Sequence, residues 1–184
     1  MKRDRGHTGA GEILAEPPSR WRIGVTITFV YDHFHDQASG QLRDALGRED
    51  VDEVLLSQVL GAGLDQCLTC EETMLALLAN SASTTAFLVE IACGAVLDTL
   101  GGFPIDLVDT GAAHSSVPIT FRRAAAAFAR DDRCELEKLC QTASSAQRHA
   151  AARTAAALYV GEVRAASARQ FDYARASEHG GVGR

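Results

Sequence analysis

Lysine is almost missing from this chain of 184 residues, which contains only Lys2 and Lys138 and carries nearly all of its positive charge on arginine. Basic residues of either kind are also scarce over residues 32–109, where there are only two arginines. The net charge is −6 and the pI is about 5.5. Because an acidic protein is repelled by the phosphate backbone, we do not expect nucleic-acid binding.

Export signals are also missing from the sequence. No segment combines a charged start, an apolar middle and a small-residue cleavage site. Five cysteines, an odd number, favour reduced thiols over a disulfide framework. We therefore expect a cytoplasmic protein, and the preference for arginine and alanine over lysine suggests a bacterial one.

The longest apolar stretch covers residues 69–100 and includes Glu90 and Asp98. A membrane span needs roughly 20 apolar residues, and a carboxylate at that depth costs several kcal/mol. We therefore expect no membrane span. The stretch predicts two core helices, about 70–80 and 84–100, that are joined by a polar bend.

Alternating apolar and polar residues over 21–31 predict one N-terminal β-strand, and a minor strand is expected near 105–108. The remaining patterns are helical. The predicted fold class is therefore mainly α, an orthogonal or bundle-like helical domain over residues 20–176. Flexible tails are expected at 1–19 and 177–184.

Two capping boxes predict where helices begin. The two boxes are the pairs Asp50–Glu53 and Thr69–Glu72. In each pair, the first side chain accepts from the backbone N–H three residues on, and the glutamate side chain accepts from the backbone N–H of the first residue. Helices should therefore follow each of these pairs, and the first should end at the glycines that begin with Gly61.

An alanine-rich helix is predicted from Asp131 or Asp132 to about Ala176, with a weak point at Gly161. Its apolar stripe is thin, and small side chains permit close approach of another helix. Burying such a helix against its own domain alone is difficult. We therefore expect a homodimer that involves this helix.

A metal site is suggested by two short motifs. His33 and His35 are spaced so that both point to one side of an extended backbone, and Cys67 and Cys70 form a C-x-x-C pair. Together they have the donors of a tetrahedral Cys₂His₂ zinc site. The alternative is that the histidines are solvated residues at the end of a strand and the cysteines pack as small hydrophobic side chains.

A different chemistry is suggested around Asp109, where two apolar residues precede Asp-Thr-Gly-Ala. The motif resembles the active-site strand of retroviral-type aspartic proteases. The resemblance implies that Asp109 is a catalytic carboxylate at a dimer axis, that Thr110 supports it and that Gly111 is the turn residue. The alternative is a polar loop in which Asp109 hydrogen-bonds the following backbone.

Glu90 is a second catalytic candidate, because a carboxylate within an apolar helix must be exposed at an edge, paired with arginine, protonated or bound to a ligand. The sequence leaves open whether the protein is an enzyme. It is expected to be an interaction or regulatory module that binds a protein partner or a small ligand. The alternative is a small metal-dependent enzyme or a zinc-stabilised protein that uses the histidine and cysteine motifs.

Overall fold

Seven helices follow one another in the part of the chain that this computed structural model describes, which comprises His35 and residues 48–179. They are α1 (Glu53–Leu64), α2 (Leu68–Leu78), α3 (Ala82–Leu100), α4 (Ile105–Val108), α5 (Ile119–Ala129), α6 (Arg133–Thr142) and α7 (Ser145–His179). No strand occurs among these residues. The mainly α class is therefore confirmed.

The minor strand predicted near 105–108 is wrong, because these residues form the single helical turn α4. Pro104 precedes it with a φ of −55°, the value that its ring imposes and that suits a helix start. The N–H of Asp109 then donates to the carbonyl of Ile105 at 2.8 Å.

The strand predicted at 21–31 lies outside the described residues and receives no support from the structure. The tail predicted at 1–19 also lies outside them. The first residues of the tail predicted at 177–184 continue α7, and the rest are not described. The limits of the domain, 20–176, stay a prediction.

The start of α1 is capped by Asp52 and not by Asp50, because the Asp52 carboxylate accepts from the N–H of Leu55 at 2.9 Å. The sequence suggested that this helix ends at Gly61, but it continues to Leu64. Gly61 lies buried within its last turn. Its missing side chain serves a close contact instead, which is described with the site below.

The capping box predicted at Thr69 is also wrong. Helix α2 begins two residues earlier, with Cys67 at the N-cap, and no side chain caps it. Glu72, the other half of the predicted box, instead forms ion pairs with His149 and Arg153 of α7. A contact between helices thus replaces the local hydrogen bond.

Helix α3 is the central element, because it contacts α1, α5, α6 and α7. The predicted bend before it is confirmed, with Ser81 at the N-cap accepting from the N–H of Thr84 at 3.2 Å. Gly101 ends it in the left-handed region, at a φ of 68°. By length and composition α3 could cross a membrane, but half of its most apolar window is buried inside the structure.

The sequence predicted a single long C-terminal helix, but the structure has two helices, α6 and α7. The helix is interrupted at residues 143–144 and not at Gly161. Ser144 and Gln147 cause the break. The N–H of Ser144 donates to Gln147 Oε1 at 2.8 Å, and the N–H of Gln147 donates to Ser144 Oγ at 3.3 Å. This reciprocal pair is a capping box.

Alanine allows α7 to approach α3 closely, because the small side chains on its inner face are fully buried. These residues are Ala151, Ala152, Ala155 and Ala156. The start of α6 agrees with the sequence, since Asp132 accepts from the N–H of Glu135 at 3.0 Å. The helices thus form a packed scaffold, and the candidate site lies at the junction of α1 and α2.

Candidate metal site

Three side chains that can each offer a metal ligand meet beside the start of α2. The ligand atoms of His35, Cys67 and Cys70 all lie within 4.8 Å of one another. Cys67 is the N-cap of α2 and Cys70 lies in its first turn, so the helix fixes both sulfurs. The structure thus brings together three of the four ligands predicted from the sequence, while His33 lies outside the described residues.

Asp65 holds the ring of His35. Its Oδ2 lies 2.5 Å from His35 Nδ1. This hydrogen bond raises the pKa of His35, a further hydrogen bond to Cys67 adds to the effect, and burial opposes it. A carboxylate on one ring nitrogen is the usual arrangement behind a metal-bound histidine, because it fixes the tautomer and the ring orientation.

Asp65 was not singled out from the sequence, although its position at the end of α1 offers a partial signal. It is the C-cap of α1 and lies two residues before Cys67. An acidic residue just ahead of a C-x-x-C pair is a reasonable partner for a histidine ligand. Only the tertiary structure shows that this histidine is His35.

Gly61 is the second residue that the sequence did not assign to the site. A Cβ atom at this position would lie 2.5 Å from the carbonyl oxygen of His35 and 2.8 Å from its carbonyl carbon. Any side chain would therefore collide with the His35 backbone. The glycine lets the backbone of His35 lie directly against α1.

The two thiols of the site influence each other. The pKa of Cys70 is raised to about 11, mainly by a hydrogen bond to Cys67 and secondly by burial. Two thiolates this close repel, and a bound cation removes that repulsion, which is why metal binding releases protons from such sites. The pair is therefore far better suited to bind a cation than to ionise by itself.

The other cysteines in the described part of the chain lie outside this cluster. Cys93 and Cys140 are buried, and burial raises their pKa values to about 12 and about 11. Cys134 is exposed. Cys93 and Cys140 therefore pack as small hydrophobic side chains, and Cys70 is equally buried at 3% exposure, so this alternative stays open for the C-x-x-C pair.

The site dimensions suit zinc. Two sulfurs bound tetrahedrally at about 2.3 Å lie roughly 3.8 Å apart. The ligand atoms here are separated by at most 4.8 Å, which is not far from that separation. The cluster could therefore hold a metal ion.

Comparison with protein-family models, curated proteins and solved structures finds no match for this chain. Its function must therefore be inferred from the geometry of its own residues.

Glu90, the catalytic candidate on α3, is paired with arginine. Its side chain is 14% exposed and lies 3.4 Å from Arg48 Nη1 and 3.3 Å from Arg133 Nη1. The sequence allowed four environments for this carboxylate, and the structure shows pairing with arginine. The contact holds residue 48 and the start of α6 against α3.

Asp109 lies in a turn. Its Oδ1 accepts from the N–H of Gly111 at 2.8 Å, and its carbonyl accepts from the buried Arg122 guanidinium. It follows the helix α4, where the resemblance to aspartic proteases implies a strand. These contacts agree with the alternative interpretation, in which Asp109 hydrogen-bonds the following backbone in a polar loop.

Proposed function

We propose that this protein is a zinc-stabilised regulatory module in which His35, Cys67 and Cys70 bind Zn²⁺. The single observation that supports this proposal is the clustering of their ligand atoms within 4.8 Å. Thiolate and imidazole are the donors that structural zinc sites use. The setting that we propose is the bacterial cytoplasm, where these thiols stay reduced.

The regulatory part of the proposal follows from where the ligands come from. His35 precedes α1, whereas both cysteines belong to the start of α2. A metal bound by all three links these two parts of the chain. Because an ion that binds only the folded form stabilises it by mass action, zinc supply would control how firmly the His35 segment is held.

The fourth ligand decides between two functions. With His33, as the sequence predicts, the site becomes a closed Cys₂His₂ structural centre. With water as the fourth ligand, it becomes an open centre of the catalytic type, the small metal-dependent enzyme of the alternative prediction. We favour the closed centre, because His33 is spaced to point the same way as His35.

Native mass spectrometry of the untagged protein, prepared without chelators, tests the zinc site. The expected result is about one zinc ion per chain. Cys67→Ser and Cys70→Ser should each abolish bound zinc, whereas the matched control Cys134→Ser should retain it, because Cys134 is exposed and lies outside the cluster. A wild-type protein that carries no zinc and does not acquire it on addition contradicts the proposal.

We further propose that the module is a homodimer that self-associates through the C-terminal part of α7 and presents a surface to a protein partner or small ligand. Val160 is the last buried side chain described on this helix, yet the helix continues to His179. Light scattering across a dilution series to low micromolar concentration measures the subunit number. A monomer at every concentration contradicts self-association.

A further inference from the structure

The two cysteines of the zinc site are also placed to react with each other. We propose that Cys67 and Cys70 form a peroxide-sensitive switch, in which oxidation to a disulfide expels the zinc ion. This inference rests on the proposed zinc site and names its regulation. It requires that the two sulfurs are close, that an oxidant can reach one of them and that the disulfide is a poor ligand.

The sulfurs are close because of the local structure of α2. Cys67 is the N-cap and Cys70 lies three residues on, and side chains at this spacing are neighbours on a helix surface. Their sulfur atoms lie within 4.8 Å. A disulfide needs about 2.05 Å between sulfurs, so the two side chains must rotate toward each other for the bond to form.

The pair also combines an accessible thiol with a second thiol beside it, and bound zinc keeps both sulfurs as thiolates. Cys67 is half-buried, so a small oxidant reaches it, and the neighbouring Cys70 is 3% exposed. Cys93 and Cys140 are at most 1% exposed. Cys134 is exposed but lies outside the cluster, so its oxidation affects no ligand.

The reaction with hydrogen peroxide is balanced. The Cys67 thiolate attacks one peroxide oxygen and breaks the O–O bond, which gives a sulfenic acid and hydroxide. The Cys70 thiolate then attacks the Cys67 sulfur, forms the S–S bond and expels a second hydroxide. The two hydroxides take up two protons. Overall, two thiolates lose two electrons and one peroxide is reduced to two waters.

Zinc leaves because its ligand is the thiolate, and a disulfide sulfur has no negative charge to offer. Only His35 then remains of the three described ligands. The metal link between His35 and α2 is lost, so the oxidised module differs from the reduced one at these three residues.

The experiment treats the zinc-loaded Cys134→Ser protein with about one equivalent of hydrogen peroxide. Released zinc is followed with a chromogenic chelator, and intact and peptide mass spectra locate the oxidised residues. The expected result is release of nearly all bound zinc, together with the loss of two hydrogens from the peptide that contains Cys67 and Cys70. His35→Ala should still form this disulfide, because it keeps both thiols.

The outcomes separate the two proposals. Zinc that is absent from the reduced protein overturns the zinc site and the switch together. Zinc that is present at the start and is retained after treatment, with no Cys67–Cys70 disulfide, overturns the switch alone. Release of zinc with sulfinic acid on one cysteine and no disulfide also overturns the switch.

Discussion

Asp65 is the residue that positions the candidate ligand His35, through the 2.5 Å contact between its carboxylate and the ring. Replacing it by asparagine keeps the shape and removes the charge. We expect Asp65→Asn to weaken zinc binding about 10- to 100-fold, the usual effect of losing such a partner. Competition titration with a chromogenic chelator measures the affinity.

Asp98→Asn is the matched control, because Asp98 is exposed on α3 and lies away from the cluster. Its zinc affinity should equal that of the wild type. If Asp65→Asn and Asp65→Ala both bind zinc as tightly as the control, Asp65 does not position the ligand.

Gly61 and Gly94 give a second comparison at the residue scale. Gly61→Ala places a Cβ 2.5 Å from the His35 carbonyl oxygen, so we expect displacement of His35 and at least about a tenfold loss of zinc affinity. Gly94→Ala meets no atom within 4 Å. Because alanine favours helix, this control should raise the free energy of unfolding by about 0.5–1 kcal/mol.

Both variants are measured by urea unfolding of the metal-free protein and by zinc titration. The loss of affinity must be specific to Gly61→Ala. Equal zinc affinity in the two variants would show that the close contact between α1 and the His35 backbone does not matter for binding.

At the scale of the element, α3 supplies the core. Leu88 is completely buried on this helix, whereas Leu97 is 40% exposed. Leu88→Ala should lower the free energy of unfolding by about 2–5 kcal/mol, because it removes buried methyl groups and leaves a cavity. Leu97→Ala should cost less than about 1 kcal/mol.

Urea denaturation midpoints at constant slope report these values. The comparison also tests the placement of α3, since the two leucines would differ little if it lay in a membrane or at an exposed surface. A loss for Leu97→Ala as large as that for Leu88→Ala contradicts the packing described above.

At the scale of the whole molecule, Arg148 joins the ends of two helices to α7. Its guanidinium donates to the carbonyl of Ala79 at 2.6 Å, and to those of Cys140 at 3.3 Å and Ala143 at 2.6 Å. These carbonyls lie at the ends of α2 and α6, where the helices leave acceptors unsatisfied.

Arg148→Met should therefore lower the free energy of unfolding by about 2–4 kcal/mol, because it leaves several carbonyls without a donor. Arg148→Lys should recover only part of this loss, since an ammonium lacks the planar fork. Arg130→Met is the control, as its exposed side chain makes no hydrogen bond or ion pair with the residues described. Thermal and urea unfolding measure all three, and equal stability of Arg148→Met and the control contradicts this role.

Features that depend on neighbours along the chain were predictable. The polar bend before α3 and the start of α6 at Asp132 each depend on hydrogen bonds within a few residues. Local rules also misled. Thr69 has the sequence of a capping box, but its partner Glu72 forms ion pairs with α7 instead.

The sequence alone determined the mainly helical class and the apolar centre at α3, because helix propensity and the spacing of apolar residues are local properties. It also identified Cys67, Cys70 and His35 as donors. Only the tertiary structure decided that these three meet, that Asp65 is the partner of His35 and that Gly61 makes room for it. Such contacts depend on how separate segments pack in space, and no rule of spacing along a chain specifies that packing.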